Sequence, residues 1–584
     1  MNSLTQQKLL VKLSLLGIIL YPLLFVWQGL DFTDMGYCLV SYQNFLRAPT
    51  GILGWCNCAF GWLFSKLTFD AGILTFKLGA VFLNWTILFL VYSLLRKQLP
   101  EKQLYLLPPI LLFTLVFCTR YYWTWLSYNH FTALFYILMV WFLYNGLTKS
   151  SLWLIFFAGC CTVVNIFIRF PNILGLCFIG FIFLYAWTKK YSLKKTCVWT
   201  GAYILGMLCA FLLILLMIWV CGHWQMVVES IAGILHKAGD KNEGRTYYIG
   251  NLLLLFYLDY KHVLLTTSAG ITLIFILTQM LKQNKMPYNI IIFSVLSLAI
   301  YPIMWRIEWL VPGLIYITLI STFFYYWRKD DELSFLSLLA ATVLFIAPLG
   351  SNNGIFNSIY GNWLAFPLTV LILIRLACNF SSENRLLSKL HIERKFLQTA
   401  GVLLLITIFI GSLYTKLFSE FRDHTRRYRM LYSINEPYLA GVFTTKERAK
   451  TVSELLQELK EHTYPGMTVL GYNGVATVYF LTQTIPYLTT PWPVLMSKEK
   501  VHQALKEKSQ SHLPKIVFRA TGGTSTNYWP KYPQNKKIFQ GNHESRRVLD
   551  EFVKEHGYKL IWENDFFEVL QLETETSGFA NKFE

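Results

Sequence analysis

From Leu9 to Tyr414 the chain returns repeatedly to apolar stretches of about 17 to 25 residues, each long enough to cross a bilayer's hydrocarbon core. In hydrocarbon every backbone N–H and C=O must be satisfied internally, so stretches of this kind are helices. The composition agrees. Of the 584 residues 54% are hydrophobic and 15% charged, against roughly 25% charged in soluble domains. The first stretch lacks a small-residue cleavage site and reads as a retained helix rather than a signal peptide.

The formal charge of +19 could suggest a nucleic-acid partner, but its placement argues for topology. Basic residues gather at every second loop: Arg96, Lys97 and Lys102; Lys189, Lys190, Lys194 and Lys195; Lys282 and Lys285; Arg328 and Lys329; Arg385, Lys389, Arg394 and Lys395. Cytoplasmic loops show this bias. Apolar runs and loop charge together predict about thirteen spans. They fall near 11–27, 71–95, 105–118, 131–145, 152–170, 172–187, 199–220, 263–281, 288–304, 310–327, 335–349, 363–376 and 396–414. An odd number places the C-terminus on the same side as the first loop. All eleven cysteines lie between Cys38 and Cys378 with no paired CxxC pattern, which supports neither a zinc site nor a disulfide framework.

After Tyr414 the composition changes. FSEFRDHTRRYRM reads as a charged, helical connector over 415–438. From 439 to 584 helical and strand patterns alternate: helices near 446–461, 498–508 and 544–555, strands near 467–473 and 515–521. Two alternating stretches flank Glu563-Asn564-Asp565, a hairpin signal. The fold expected is a polytopic α-helical membrane domain over 1–414 with a small C-terminal α/β extramembrane domain. That domain has no Walker, dinucleotide-binding, GxSxG or HExxH pattern.

Within the membrane domain one loop carries most of the chemistry. Between Gln28 and Asp70 the apolar runs give way to a stretch opening GLDFTDMGY, which puts Asp31 and Asp34 just beyond the first span. Such carboxylates can take a proton from a hydroxyl, or hold a divalent cation (Mg or Mn) beside a phosphate. The plain alternative is that Asp31 caps a following helix and Asp34 only solvates the loop. Charged groups at the outer ends of spans, Arg169 before Phe170-Pro171 and Arg120, could bind an anion or simply snorkel. Lys237 and Arg245 in the long loop 221–262 are further cations, and Asn352 and Asn353 sit in an amide-rich loop suited to sugar hydroxyls or to tight turns.

The first span, the D-x-x-D-x-G-Y loop opening at Asp31, the run GWLFSKLTFDAGILTFKLGAVFLNW and the many later spans together resemble the GT-C superfamily of membrane glycosyltransferases. The likeness is to the branch containing protein mannosyltransferases and aminoarabinose transferases. It covers 9–414 as architecture and the first loop as a motif. It implies transfer of a sugar from a polyprenyl-phosphate donor to a glycolipid, polysaccharide or protein acceptor of the cell envelope. It further implies an active site on the periplasmic face of a bacterial inner membrane, in contact with the bilayer and with no nucleic acid. The family's essential acidic residue is matched by Asp34, directly before Met35-Gly36-Tyr37, with Asp31 a supporting acid. Relatives carry an adjacent acidic pair where this chain has Asp34-Met35. Arg169, Arg120, Arg245 and Lys237 would then face the donor phosphate, and Asn352 and Asn353 a sugar. An oligosaccharide polymerase or ligase, or a transporter or flippase, remain the rival readings.

Overall fold

The computed structural model describes residues 3–47, 54–121, 124–239, 307–327, 332–349, 354–378, 394–418, 421–423, 425–509, 512–526, 529–531 and 543–573, with isolated residues 254, 257, 258 and 261. Among these, seven helices are long and apolar enough to cross a membrane: Leu4–Leu23, Ile73–Gln98, Glu101–Thr119, Tyr128–Thr148, Phe170–Thr188, Leu193–Val220 and Ile355–Arg375. Four shorter apolar helices accompany them, Leu152–Ile168, Val311–Phe324, Glu332–Ile346 and Leu405–Phe418. Each of these elements falls on an expected span. The two remaining expected spans, 263–281 and 288–304, lie outside the described residues.

The chain forms two compact units, and their division is not sequential. The first comprises Met1–Pro22, Phe82–Arg120 and Tyr128–Thr415; the second comprises Leu23–Val81, Tyr121–Ser127 and Lys416–Glu584. The sequence-based boundary at 414 therefore assigns the first loop differently: that loop shares a unit with the C-terminal domain.

In the first unit, helices pack by close backbone approach and aromatic stacking. Leu152–Ile168 and Leu193–Val220 meet where Gly159 faces Tyr203 and Gly206 faces Phe156, and a Cβ at either glycine would strike a backbone carbonyl. Small residues at such crossings let apolar helices gain dispersion contacts that lipid would otherwise supply. Phe117 stacks on Phe366 at 4.2 Å, with Phe113 edge-on to the same ring at 4.8 Å.

In the second unit, α1 (Asp34–Gln43) and α2 (Trp55–Leu67) come from the first loop. A short antiparallel ribbon, β1 (Tyr432–Ser433) with β2 (Phe443–Thr444), precedes α3 (Lys446–His462). Then follow β3 (Thr468–Tyr472), α4 (Ala476–Thr482), β4 (Ile485–Pro486), α5 (Lys498–Ser509), β5 (Ile516–Ala520), α6 (His543–Glu555), β6 (Tyr558–Glu563) and β7 (Phe567–Leu572). The five-stranded sheet has order β4-β3-β5-β7-β6, with β3 parallel to β4 and β5 and with β7 antiparallel to β5 and β6. The expected hairpin is present: Asn564 Oδ1 accepts from the amides of Phe566 at 3.0 Å and Phe567 at 2.8 Å and so fixes the turn.

The connector differs from the helix expected over 415–438. The helix ends at Phe418, and a 3-10 turn at Arg427–Arg429 is the one helical piece among the described residues up to the ribbon. Two local causes are visible. Arg422 has a left-handed backbone, φ 61°, which no helix accommodates. The Arg427 side chain folds inward, donating to the Lys416 carbonyl at 2.5 Å and the Phe25 carbonyl at 3.3 Å.

Candidate functional site

The segment from Gln28 to Gly36 is held by the second unit at nearly every residue. Gln28 Nε2 donates to the Arg427 carbonyl at 3.1 Å, and the Gly29 amide donates to the Phe443 carbonyl at 3.0 Å. The Leu30 amide donates to Asp423 Oδ2 at 3.1 Å. The buried Lys77 ammonium donates to the carbonyls of Gln28 at 2.7 Å and Gly29 at 2.6 Å. Thr477 closes the far side: its hydroxyl donates to the Asp31 carbonyl at 2.6 Å and its amide to the Phe32 carbonyl at 3.1 Å. The Phe32 ring is completely buried, edge-on to Trp529 at 5.4 Å. Gly36 lets α1 lie directly on α4, because a Cβ there would collide with the backbone of Ala476 and Thr477. The glycine of the motif is thus a close-approach residue.

On this scaffold the two aspartates do different things. Asp31 is buried, and its carboxylate is fully engaged by the turn that starts α1. Oδ1 accepts from the Thr33 amide at 2.9 Å and the Thr33 hydroxyl at 2.6 Å, and Oδ2 accepts from the Met35 amide at 2.7 Å. A helix leaves its first amides without partners, and an acceptor placed there satisfies them and suits the helix dipole. Burial and the nearby Asp34 charge push the Asp31 carboxyl up to about 6, against the lowering effect of those hydrogen bonds. Asp31 therefore lies two residues before Thr33, the N-cap of α1, and its side chain satisfies the Thr33 and Met35 amides from there, so the two carboxylates do not share a helix face.

Asp34, the first residue of α1, points outward and is about a third exposed. Its Oδ2 accepts from Nε of Arg422 at 2.9 Å, in an ion pair whose two side chains are 32% and 34% exposed. Burial works against the Arg422 charge, but Asp34 and Asp31 outweigh it and hold the guanidinium proton more firmly than water would. The Arg422 guanidinium also lies 5.4 Å from the Phe421 ring. Its backbone is fixed from the next residue: Asp423 is fully buried and pairs with Arg448, whose guanidinium sits 4.6 Å from the Trp529 ring and donates to the Trp529, Thr526 and Asp423 carbonyls. A residue in the left-handed region, locked by a buried ion pair beside it, is strain held in place by its surroundings.

A cation shared by Asp31 and Asp34 would have to displace these contacts. Both Asp31 oxygens are taken by N–H and O–H donors in a buried pocket, which leaves a single carboxylate, and that carboxylate faces a guanidinium.

Two of the expected cationic groups are described, and both belong to the first unit. Arg169 donates from Nη1 to the Ala347 carbonyl at 3.2 Å and to Asn172 Oδ1 at 3.4 Å, with its guanidinium 5.5 Å from the Tyr360 ring. Arg120 folds onto its own helix end, donating to the Phe117 carbonyl at 2.6 Å over the Phe117 ring. Arg245, Asn352, Asn353 and the Lys237 side chain lie outside the described residues. Burial raises the thiols of Cys38, Cys56 and Cys58 well above the ordinary cysteine value, which makes them packing groups. Sequence reasoning missed Arg422, Lys77 and Arg448. Lys77 left a signal, as a lone cation opening an apolar helix; Arg422 was one of several arginines in a charged connector.

No protein-family model and no curated protein matches the chain. Solved structures similar to it include ArnT from Cupriavidus metallidurans bound to undecaprenyl phosphate, at 13% identity and a TM-score of 0.43, covering 98% of this chain and 99% of that one.

Proposed function

We propose that this protein is an integral-membrane glycosyltransferase that moves a sugar from a polyprenyl-phosphate donor to a hydroxyl of a cell-envelope acceptor, on the periplasmic face of a bacterial inner membrane. The observation that carries the reading is the Asp34–Arg422 pair, about one third exposed and set on a buried scaffold, with Asp34 shortly after a membrane-length helix in the chain. The loop motif that resembles the GT-C superfamily supplies the first member of that pair.

In the reaction, the acceptor oxygen bonds to the anomeric carbon while the bond from that carbon to the phosphate oxygen breaks. Asp34 takes the acceptor proton, and the phosphate leaves on its polyprenyl chain. A carboxylate within hydrogen-bond reach of the attacking hydroxyl serves as general base. The leaving phosphate gathers negative charge, and Arg422 presents a planar fork of donors that can engage two oxygens. Arg422 turns from Asp34 to the phosphate as the donor enters. That exchange frees Asp34 for the acceptor and supplies positive charge without a second carboxylate to bind a metal.

The test uses purified protein in lipid nanodiscs and a panel of polyprenyl-phosphate sugars, with polyprenyl phosphate release as the readout. Release by the wild type and its loss in Asp34→Asn is the expected result. Equal release by both proteins, or none with any donor from folded protein, sinks the reading.

A further inference from the structure

The C-terminal domain contains a concave site between α6 and the face of the sheet at β5 and β7. It is an open cleft of about 630 Å³, within the range of about 300 to 1,000 Å³ usual for small-ligand sites. Its polar wall is prearranged. Arg519 donates from Nη1 to Asp550 Oδ1 at 2.7 Å and to the Tyr472 hydroxyl at 2.8 Å, and from Nε to Glu568 Oε2 at 2.5 Å. The Tyr472 hydroxyl in turn donates to Asp550 Oδ1 at 2.8 Å. Arg546 approaches the other Asp550 oxygen at 3.5 Å, and Lys554 completes the rim.

Two groups of this wall have capacity to spare among the described residues. Glu568 uses one carboxylate oxygen on Arg519, and the other has no protein donor. Lys554 has no acidic partner. The cleft carries three cations, Arg519, Arg546 and Lys554, against two carboxylates. A neutral sugar would satisfy Glu568 with a hydroxyl and leave Lys554 unused. A bare anion would answer Lys554 but set a negative charge against Glu568. A ring bearing both hydroxyls and one acidic group answers each. Carboxylate and guanidinium groups fixed by one another also suit neighbouring hydroxyls, because little side-chain entropy is lost on binding.

We propose that this cleft is a saccharide subsite for a sugar unit carrying a carboxylate or phosphate group. Its role as the place that grips the acceptor rests on the transferase reading; the binding itself does not.

The test is calorimetric titration of the full chain in nanodiscs at low salt with three probes: a glucuronic-acid-terminated trisaccharide, its glucose-terminated counterpart, and inorganic phosphate. The acidic trisaccharide binds most tightly. Lys554→Gln, at an exposed position that folding tolerates, weakens it about fivefold, the factor a solvent-screened charge contact supplies, and leaves the neutral probe unchanged. Asp34→Asn protein binds as the wild type does, so loss of the transferase reading would leave this result standing. Inorganic phosphate binding as tightly as the saccharide, no saccharide binding, or indifference of the acidic probe to Lys554→Gln overturns the proposal.

Discussion

Arg422→Gly separates what the guanidinium does for the fold from what it does for the reaction. The ion pair to Asp34 is about one third exposed on each side, which limits its contribution to stability to about 0.2–1 kcal/mol. The contact with the Phe421 ring at 5.4 Å adds about 0.5 kcal/mol at such an exposed site. Glycine also loses about 0.5–1 kcal/mol more backbone entropy on folding. Against these losses stands the left-handed backbone, φ 61°, where an L side chain costs about 1–2 kcal/mol and glycine nothing. The two sides nearly cancel, so the variant should unfold within about 1 kcal/mol of the wild type. The reaction should respond very differently. A charge-assisted hydrogen bond to the departing phosphate is worth about 1.5–3 kcal/mol, which corresponds to a loss of roughly 10- to 150-fold in kcat/KM. Thermal unfolding in nanodiscs followed by tryptophan fluorescence, alongside polyprenyl phosphate release, measures both quantities on one preparation. Unchanged turnover in a folded Arg422→Gly protein would refute the role given to the guanidinium. A collapse of the unfolding temperature would show that Arg422 is a structural residue.

Two further outcomes follow from the scaffold. Asp31 titrates near 6 in the fold and near 3.9 in an unfolded chain; its raised value means the stability it contributes is complete below the unfolded value and is lost as pH rises through about 6. The loss is about 3 kcal/mol at 1.36 kcal/mol per unit. Asp31→Asn removes this dependence, so its unfolding temperature relative to the wild type should rise between pH 4.5 and pH 7.5; a pH-independent difference contradicts the assignment. Gly36→Ala should cost about 1–3 kcal/mol or more by forcing α1 off the Ala476–Thr477 backbone. Wild-type unfolding temperature and turnover in that variant would show that the close approach is not required.

Much of this architecture was legible because the bilayer imposes a length and a hydrophobicity on whatever crosses it. Every described apolar helix of span-like length coincides with an expected span, and each strand and helix expected in the C-terminal domain is found within a residue or two of its sequence pattern, while β1, β2, α4 and β4 were not expected. What could not be read was the pairing of distant segments. The first loop and the residues after Lys416 share one unit because of contacts between residues hundreds of positions apart, such as Leu30 with Asp423 and Asp31 with Thr477. Periodicity reports only on near neighbours. For that reason α1 and α4 went unrecognised: α4 is 7 residues long and buried on all sides, so it has no polar face to reveal a helical repeat. The candidate site was half legible. Asp34 stands in a motif whose order is fixed along the chain, whereas Arg422 becomes its partner only once the fold is formed, from a connector whose charge suggested a solvated helix. The role of Asp31 turned on local chemistry: its spacing from Thr33 and Met35 allows both a functional pair and a cap, and the hydrogen bonds select the cap.

The most direct test of the central claim, that Asp34 and Arg422 act as one site, is a double-mutant cycle on kcat/KM for polyprenyl phosphate release. Residues working as a unit lose their effect together. If the account holds, the double variant is faster than the product of the two single losses predicts, because without the Asp34 carboxylate Arg422 has no ion pair to exchange for the phosphate. If the two losses multiply in the double variant, the residues act independently and the proposed exchange of Arg422 between Asp34 and the donor phosphate is wrong.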